Sequence, residues 1–357
     1  MRLHVPLFGA TVGLLVALSA GLGPTMAQSA TEEQHFLYVA MPGQDAAVDG
    51  HDDRGVRLLV FDIEHTHRFV KRISLWPPRP GEAVETVRGI TAHVQTRRLF
   101  ISTVTRLAAI DLKTENIVWQ QTYDGHCCDR FAVSPDGRTI YAPAFGSPRW
   151  YVINATTGNL IATIAVEGWP RDTRFSGDGR SAYLAAWESS TLSIADARVH
   201  QIVKTVGPFS ASLCPFTVNA KGTLAFANVD GLVGFEVGDL QTGLILDRVA
   251  VDDVERDAAA EYECPSHGIA FSPSQRELWL ADGVKNRLHV FDAAVYPPAH
   301  LAALALSAPP RWITFSLDGR YAYPSSGEIV DAASRRIWCR AASPPPQWSR
   351  GARQWSR

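Results

Sequence analysis

The chain has 357 residues, with 34 lysines and arginines against 36 aspartates and glutamates. Binding to a nucleic-acid backbone needs an excess of clustered cations, so this balance disfavours a nucleic-acid partner. Hydrophobic residues make up 46% and charged residues 20% of the chain. This composition supplies a packed core and argues against wholesale disorder.

The first 27 residues have the pattern of a secretory signal peptide. A short basic start at Arg2 precedes an almost wholly apolar run over 5–22, which a Gly-Pro pair ends. Thr25 and Ala27 then place small residues at the −3 and −1 positions of a cleavage site. The competing interpretation is a retained membrane anchor, for which the run is short. We therefore expect a periplasmic or secreted monomer without a membrane span after cleavage.

A repeated pattern follows this leader. Its first marker is an apolar strand that ends in a tight turn such as Ser134-Pro135-Asp136-Gly137. In such turns proline presets φ and glycine supplies a positive φ. Successive copies are separated by 41, 42, 43, 53 and 44 residues. The equivalent positions are His93, Ser134, Ser176, Asn219, Ser272 and Ser316.

A second marker, a strand that ends in an acid or an amide, has a similar period. Each unit contains four short stretches rich in β-branched and aromatic residues. Four strands per roughly 40–45 residues are typical of a β-propeller blade. We predict an all-β fold over 28–337, a seven-bladed β-propeller of four-stranded antiparallel blades. The seven marker positions are Asp62, Asp111, Asn154, Asp196, Asp239, Asp292 and Asp331.

Closure of the predicted ring is the irregular part of the pattern. Only six innermost strands are recognisable, because the first unit starts directly at Phe36. The Pro/Trp/Arg-rich tail over 338–357 lacks strand alternation and contains Pro344-Pro345-Pro346, which cannot donate in a ladder. We expect this tail to be disordered, and closure to be imperfect or made by hydrophobic packing alone.

Several motifs resemble those of YVTN-repeat propellers, which are WD-repeat-like in architecture. They are the Ser-Pro-Asp-Gly turns, the Leu-Tyr-Val-Ala strand at 37–40 and the Asn-Ala-Thr-Thr-Gly turn at 154–158. The blocks at 264–269 and 312–324 are similar to a bacterial YncE-like subgroup of unassigned activity. Fold relatives implied by the resemblance include lactonase-type propellers and the large subunit (β chain) of quinoprotein amine dehydrogenases. The resemblance covers about 36–337 and implies the fold rather than an activity.

In propellers, the loops that lead into the innermost strands gather around one mouth of the central channel. We therefore place the candidate ligand site at these entry loops. Several arginines and a histidine there predict a positive funnel suited to a carboxylate or a phosphate. The alternative is that the arginines pair with loop acids such as Asp129 or Asp172. The candidate residues are Arg88, Asp129, Arg130, Arg171, His267, Arg311 and Trp312.

Neighbouring features leave alternatives open. Cys214 and Cys264 lie on adjacent entry loops and are a possible disulfide, with Cys128 as a competing partner for Cys264. The cysteine count of five is odd, so at least one cannot pair within the chain. The acidic insert over 252–263 is either a lid over the mouth or a solvated loop.

Two histidines and one tryptophan motif match parts of known metal and cofactor sites. His65 and His67 share the i, i+2 spacing of metal ligands, but no third ligand is evident, which favours a solvent-exposed turn. The stretch from Ala109 to Trp119 is similar to the tryptophan-docking motif of quinone-cofactor propellers, but Glu115 replaces its glycine. We therefore expect no metal and no cofactor.

The chain contains no G-x-S-x-G, H-E-x-x-H, C-x-x-C-H or phosphate-loop motif, and no catalytic residue is predicted. The favoured interpretation is an exported propeller that binds a small anionic ligand or a protein partner at its channel mouth. One alternative is a propeller enzyme, either a lactonase-like hydrolase or the large subunit of a quinoprotein amine dehydrogenase. The other is a cell-surface or adhesion module.

Overall fold

The computed structural model describes residues 35–41, 55–77, 85–124, 127–128, 130–251 and 263–340. The predicted signal peptide and most of the predicted tail lie outside these ranges. All the regular elements of the described residues are β-strands. Among these residues there is no helix long and apolar enough to cross a membrane. The all-β prediction is confirmed.

The strands form seven antiparallel sheets, which we number as blades 1 to 7 in chain order. Six blades have four strands and blade 1 has three in the described part of the chain, where the innermost strand of blade 1 is absent. The predicted seven-bladed propeller is therefore confirmed.

The strand bounds are as follows. Blade 1 comprises β1 (Phe36–Met41), β2 (Val56–Asp62) and β3 (Arg68–Trp76), and blade 2 comprises β4 (Val87–His93), β5 (Arg98–Thr103), β6 (Leu107–Asp111) and β7 (Ile117–Gln121). Blade 3 comprises β8 (Ala132–Val133), β9 (Thr139–Pro143), β10 (Arg149–Asn154) and β11 (Leu160–Ala165), and blade 4 comprises β12 (Trp169–Phe175), β13 (Ser181–Trp187), β14 (Leu192–Asp196) and β15 (Gln201–Val206). Blade 5 comprises β16 (Leu213–Val218), β17 (Leu224–Val229), β18 (Gly234–Asp239) and β19 (Ile245–Ala250). Blade 6 comprises β20 (Ser266–Phe271), β21 (Glu277–Asp282), β22 (Arg287–Asp292) and β23 (Ala299–Ala305), and blade 7 comprises β24 (Ile313–Phe315), β25 (Tyr321–Pro324), β26 (Glu328–Asp331) and β27 (Arg336–Arg340).

Burial follows the position of a strand within its blade. The second and third strands, such as β9 and β10, are buried over most of their length because a blade packs on each of their faces. Outermost strands such as β11 are largely exposed. The core is therefore a series of apolar layers between blades, and the innermost strands bring their entry loops together near the channel.

The first repeated marker is a turn held by its own side chains. The Ser134 hydroxyl donates to Asp136 Oδ1 at 2.6 Å and accepts the backbone N–H of Thr139 at 3.0 Å. Gly137 follows with a φ of 70°, which a residue without a side chain adopts readily. The same serine–aspartate pair recurs at Ser176 and Ser316.

The second marker is a carboxylate or amide that binds backbone N–H groups of the next turn. Asp111 Oδ1 accepts from Lys113 and Thr114 at 2.9 Å each. These two backbone hydrogen bonds, with Arg98, lower the pKa of Asp111 to about 2. Both markers are thus local devices that end or begin a strand, which explains why they repeat with the blade.

Blades 1 and 7 are joined by a mixed apolar and polar contact. Tyr321 and Tyr323 of β25 pack with Leu37 of β1 in one cluster. The His67 ring lies edge-on to Tyr321 with centroids 4.6 Å apart, and its Nε2 lies 2.9 Å from the Tyr323 hydroxyl. Ring closure therefore includes a buried hydrogen bond in addition to the expected hydrophobic packing.

Two further expectations differ from the structure at this junction. His67 is only 2% exposed, so the interpretation of a solvent-exposed turn is wrong for it, whereas His65 is exposed and lies 2.8 Å from Asp62. The cause is the closing blade, which covers the turn of blade 1. Strand β27 also continues three residues past the expected boundary at 337, because it pairs with β26.

Replacing Tyr323 by phenylalanine should destabilise the ring. The change leaves the buried Nε2 of His67 without its partner, which costs about 1–3 kcal/mol. Urea unfolding would measure this loss, with Tyr321→Phe as the matched control because Tyr321 touches His67 through its ring. Equal losses in the two variants would contradict the role of the hydrogen bond.

Candidate functional site

The side chains that meet at the channel mouth come from blades that are not neighbours in the ring. The Arg130 guanidinium, which precedes β8 of blade 3, lies over the Trp312 ring, which precedes β24 of blade 7, at 4.5 Å. Arg171 of blade 4 lies 3.1 Å from Glu263, which precedes blade 6. Such pairs can form only near the shared axis. We call Arg130, Arg171, His267, Arg311 and Trp312 the mouth cluster.

His267 is the buried centre of the mouth cluster. Its ring is edge-on to Trp312 with centroids 4.6 Å apart, and its Nδ1 lies 2.9 Å from the Arg311 carbonyl oxygen. A carbonyl only accepts, so Nδ1 carries the hydrogen and Nε2 is the lone-pair nitrogen in the neutral ring. Burial, followed by repulsion from Arg130 and Arg311, holds the pKa of His267 well below its usual range.

The three guanidiniums act on one another as well as on His267. Burial lowers the pKa of Arg311, Glu263 opposes this effect, and Arg130 and Arg171 add to it by repulsion. Arg171 also lies over the Trp187 ring at 5.1 Å. The mouth is therefore a place where positive charge is concentrated, partly withdrawn from water and flanked by aromatic faces.

Backbone contacts hold the two residues that enter blade 7. The Ser325 hydroxyl accepts the N–H groups of Arg311 at 2.8 Å and Trp312 at 3.1 Å. Gly268 of β20 lies so close that a Cβ there would stand 2.9 Å from the Trp312 Cα. Only glycine allows the innermost strands of blades 6 and 7 to approach so closely. Gly268, which follows His267 in the chain, therefore brings Trp312 next to His267.

Covalent and polar links fix the approach to His267. The structure joins Cys214 of β16 to Cys264, with Cα atoms 5.7 Å apart, within the usual range for a disulfide. The backbone N–H of Cys264 donates to Asp230 Oδ1 at 3.1 Å. The adjacent Cys127 and Cys128 are both fully buried, and Cys339 is free.

Not every predicted residue belongs to the mouth cluster. Arg88 lies on β4, and its guanidinium stacks over Phe145 at 4.3 Å. Asp129 lies outside the described residues, as does the acidic insert over 252–262. Asp172 is buried, and its Oδ2 accepts the backbone N–H of Phe216 at 3.3 Å.

Sequence reasoning missed the aromatic and acidic partners of the arginines. Phe145 follows the second strand of blade 3, Trp187 is the last residue of the second strand of blade 4, and Glu263 closes the acidic insert. Loops after second strands lie at the same end of a propeller as the entry loops, since successive strands alternate in direction. That alternation is the signal that would have placed Phe145 and Trp187 beside the arginines.

A cavity of about 440 Å³ lies away from the mouth cluster, in the groove between blades 3 and 4. Its wall carries hydroxyl groups and apolar side chains, with Glu167 as its charged residue, which does not suit an anion. Among the described residues, no group of three or more His, Cys, Asp or Glu is placed to hold a metal ion. The cavity is lined by Trp150, Ala165, Val166, Glu167, Leu184, Ala186, Ser189, Thr191, Ser193, Ile202 and Thr205.

No model of a known protein family matches the chain, and neither does any curated protein. The functional argument therefore rests on the fold and on the chemistry of the mouth cluster.

Stability should fall as pH decreases below 6.5, in part through His267. Its folded-state pKa is lowered, so the unfolded chain takes up the proton first as pH falls through 6.5, and folding loses up to about 1.4 kcal/mol per pH unit for this group. Unfolding in urea at pH 7.5, 6.5 and 5.5 would measure the slope. His267→Gln should reduce the slope, and identical slopes would contradict the assignment.

Removing the Cys214–Cys264 link should lower stability by about 2–4 kcal/mol, because the link closes a long loop in the unfolded chain. Thermal unfolding of the Cys214→Ser/Cys264→Ser double variant would measure this loss, with Cys339→Ser as the control. Peptide mapping of the denatured, unreduced protein should recover Cys214 and Cys264 in one disulfide-linked pair of peptides. Recovery of Cys214 or Cys264 as a free thiol would contradict the link.

Proposed function

We propose that the protein is an exported bacterial propeller of the YVTN-repeat, YncE-like kind that binds a small anion at its channel mouth. The repeat motifs support the family, and the leader pattern supports a periplasmic or secreted location. The chemical class of the ligand is a carboxylate or a phosphate. The proposal assigns binding to the mouth cluster and no catalytic step.

The observation that carries the proposal is the convergence of Arg130, Arg171 and Arg311 from three blades onto one neutral histidine. Glu263 offsets part of the repulsion at Arg171 and Arg311, and an anion placed among the three guanidiniums would relieve the rest. Guanidinium forks bind carboxylate and phosphate oxygens through charge-assisted hydrogen bonds. Partial burial strengthens these interactions relative to the open surface.

The surroundings of His267 support recognition as well. Its Nδ1–H is engaged by the Arg311 carbonyl, so the neutral ring presents Nε2 as an acceptor. An acceptor beside three cations favours a ligand that carries a hydroxyl or a protonated oxygen next to its charged group. Trp312 and Trp187 add aromatic faces for the uncharged part of such a ligand.

Substitution of Arg311 tests the proposal because this side chain is half-buried and repelled by its neighbours. Arg311→Gln should weaken binding of the anion by about 10-fold to 100-fold, the value of one or two hydrogen bonds to a charged group. It should leave the stability of the unliganded protein equal or higher. Isothermal titration with inorganic phosphate and with succinate would measure binding, and rising salt should weaken it.

The matched control is Arg198→Gln. Arg198 is an exposed arginine that pairs with Asp196 in the turn between β14 and β15, at the opposite end of the blades. Loss of the Arg198 guanidinium should leave the affinity for phosphate and succinate unchanged. The proposal is overturned if neither phosphate nor succinate binds at millimolar concentration. It is also overturned if Arg311→Gln and Arg198→Gln bind the anion with equal affinity.

The neutral, buried imidazole of His267 also favours a second candidate, a propeller enzyme. A ring whose Nδ1–H is held by a carbonyl has the form of a general base. This supports a lactonase-like hydrolase. An enzyme subunit such as the large chain of a quinoprotein amine dehydrogenase is the other form of this candidate, and it rests on the resemblance of the repeats alone. Native mass spectrometry would reveal a bound subunit, and lactone turnover lost in His267→Gln would favour this candidate over simple binding.

A further inference from the structure

A polar chain of three residues crosses blade 6 outside the mouth cluster. Asp282 ends β21 and is fully buried, and His289 of β22 is only 1% exposed. The His289 Nε2 lies 3.2 Å from Asp282 Oδ2, and its Nδ1 lies 3.1 Å from Nε2 of His300, an exposed residue of the outermost strand β23. The chain thus leads from a buried carboxylate to the surface.

Asp282 determines which nitrogen of His289 carries the hydrogen. Its Oδ1 accepts the backbone N–H groups of Val284 at 2.8 Å and Lys285 at 3.1 Å. The remaining oxygen, Oδ2, lies 3.2 Å from His289 Nε2, and because a carboxylate oxygen accepts, this nitrogen donates. The neutral ring is therefore the tautomer whose Nδ1 lone pair points towards His300.

This arrangement matches the outer sphere of many metal-binding histidines. A ligating imidazole commonly donates its second ring N–H to a carboxylate, which fixes the tautomer and increases the basicity of the ligating nitrogen. Here the carboxylate is buried and the ligating nitrogen faces outward. The order of groups is carboxylate, His289 and then His300, whose Nε2–H donates to His289 Nδ1 in this structure. A metal ion shared by the two nitrogens would replace that hydrogen, which leaves as a proton.

The separation of the two nitrogens also fits a shared ion. With metal–nitrogen bonds of about 2.05 Å, two ligating nitrogens lie about 2.9 Å apart at a right angle and about 3.4 Å apart at the tetrahedral angle. The observed 3.1 Å between His289 Nδ1 and His300 Nε2 falls within this interval. Phe291 packs against the His300 ring at 5.2 Å and limits its movement.

The blade architecture does not itself require a histidine at this position. His289 stands three residues before the second marker, where blades 5 and 7 have Glu236 and Glu328. Those carboxylates accept backbone N–H groups from serines of the preceding loops, Ser210 at 2.9 Å and Ser307 at 2.8 Å. In blade 6 the same position instead faces a second imidazole.

We propose that His289 and His300 bind one divalent transition metal of the class that prefers imidazole, with Cu²⁺ bound more tightly than Zn²⁺. The protein supplies two nitrogen ligands, and water or a small molecule completes the coordination shell. Asp282 is a positioning residue that acts through His289. The site uses none of the mouth residues.

The test titrates untagged protein with CuCl₂ and, separately, with ZnCl₂. Wild-type protein should bind one Cu²⁺ with micromolar affinity, and its paramagnetic resonance spectrum should show coupling to two imidazole nitrogens. His300→Ala, a change on the exposed strand, should leave the fold intact, weaken binding at least 10-fold and remove one nitrogen coupling. Asp282→Asn should weaken binding by about 10-fold to 100-fold while both couplings remain.

The matched control is His65→Ala. His65 is also an exposed histidine beside an aspartate, at 2.8 Å from Asp62, but it faces no second imidazole in that contact. This variant should bind Cu²⁺ as wild type does. Failure of wild-type protein to bind either metal at millimolar concentration, or equal binding in wild type and His300→Ala, would show that the two rings share only a hydrogen bond and would overturn the proposal.

Discussion

The contact between the first and last blades is the constraint on which the rest of the molecule depends. Each blade buries its faces against two neighbours, and only a closed ring gives every blade both of them. His67, Tyr321 and Tyr323 make this contact at the junction of blades 1 and 7. If it opened, the innermost strands would no longer surround one axis.

The mouth cluster is a direct result of that closure. Arg130 reaches Trp312 although they belong to blades 3 and 7, so their contact exists only while the ring is closed. The same geometry gathers cations that the sequence keeps far apart. Recognition at the mouth and stability at the junction are therefore linked, because loosening the junction removes the concentration of charge on which binding of an anion would depend.

The sequence predicted what is local and periodic. The turns at Ser134 and the carboxylate caps such as Asp111 are built within a few residues, so they repeat visibly and reveal the blades. The register of the entry residues also places Arg171 and His267 near the mouth. These features follow from strand alternation, which a single sequence displays.

Contacts between distant parts of the chain were not predictable in the same way. His67 and Tyr323 are separated by 256 residues, and no pattern near His67 indicates that another blade covers it. The stacking of Arg88 over Phe145 likewise depends on how neighbouring loops fold over one another. Their physical basis is three-dimensional packing, which leaves little trace in local periodicity.

The strand position three residues before the second marker differs in chemical character from blade to blade. In blades 1 to 3 it holds Leu59, Ala108 and Tyr151, which belong to the apolar layers, whereas in blades 4 to 7 it holds Ser193, Glu236, His289 and Glu328. In these four blades an exchange at this position alters the chemistry of a single blade, while the neighbouring apolar residues that pack between blades remain. Repetition thus gives this protein several equivalent places at which a new affinity can arise by substitution, independently of the site at its axis.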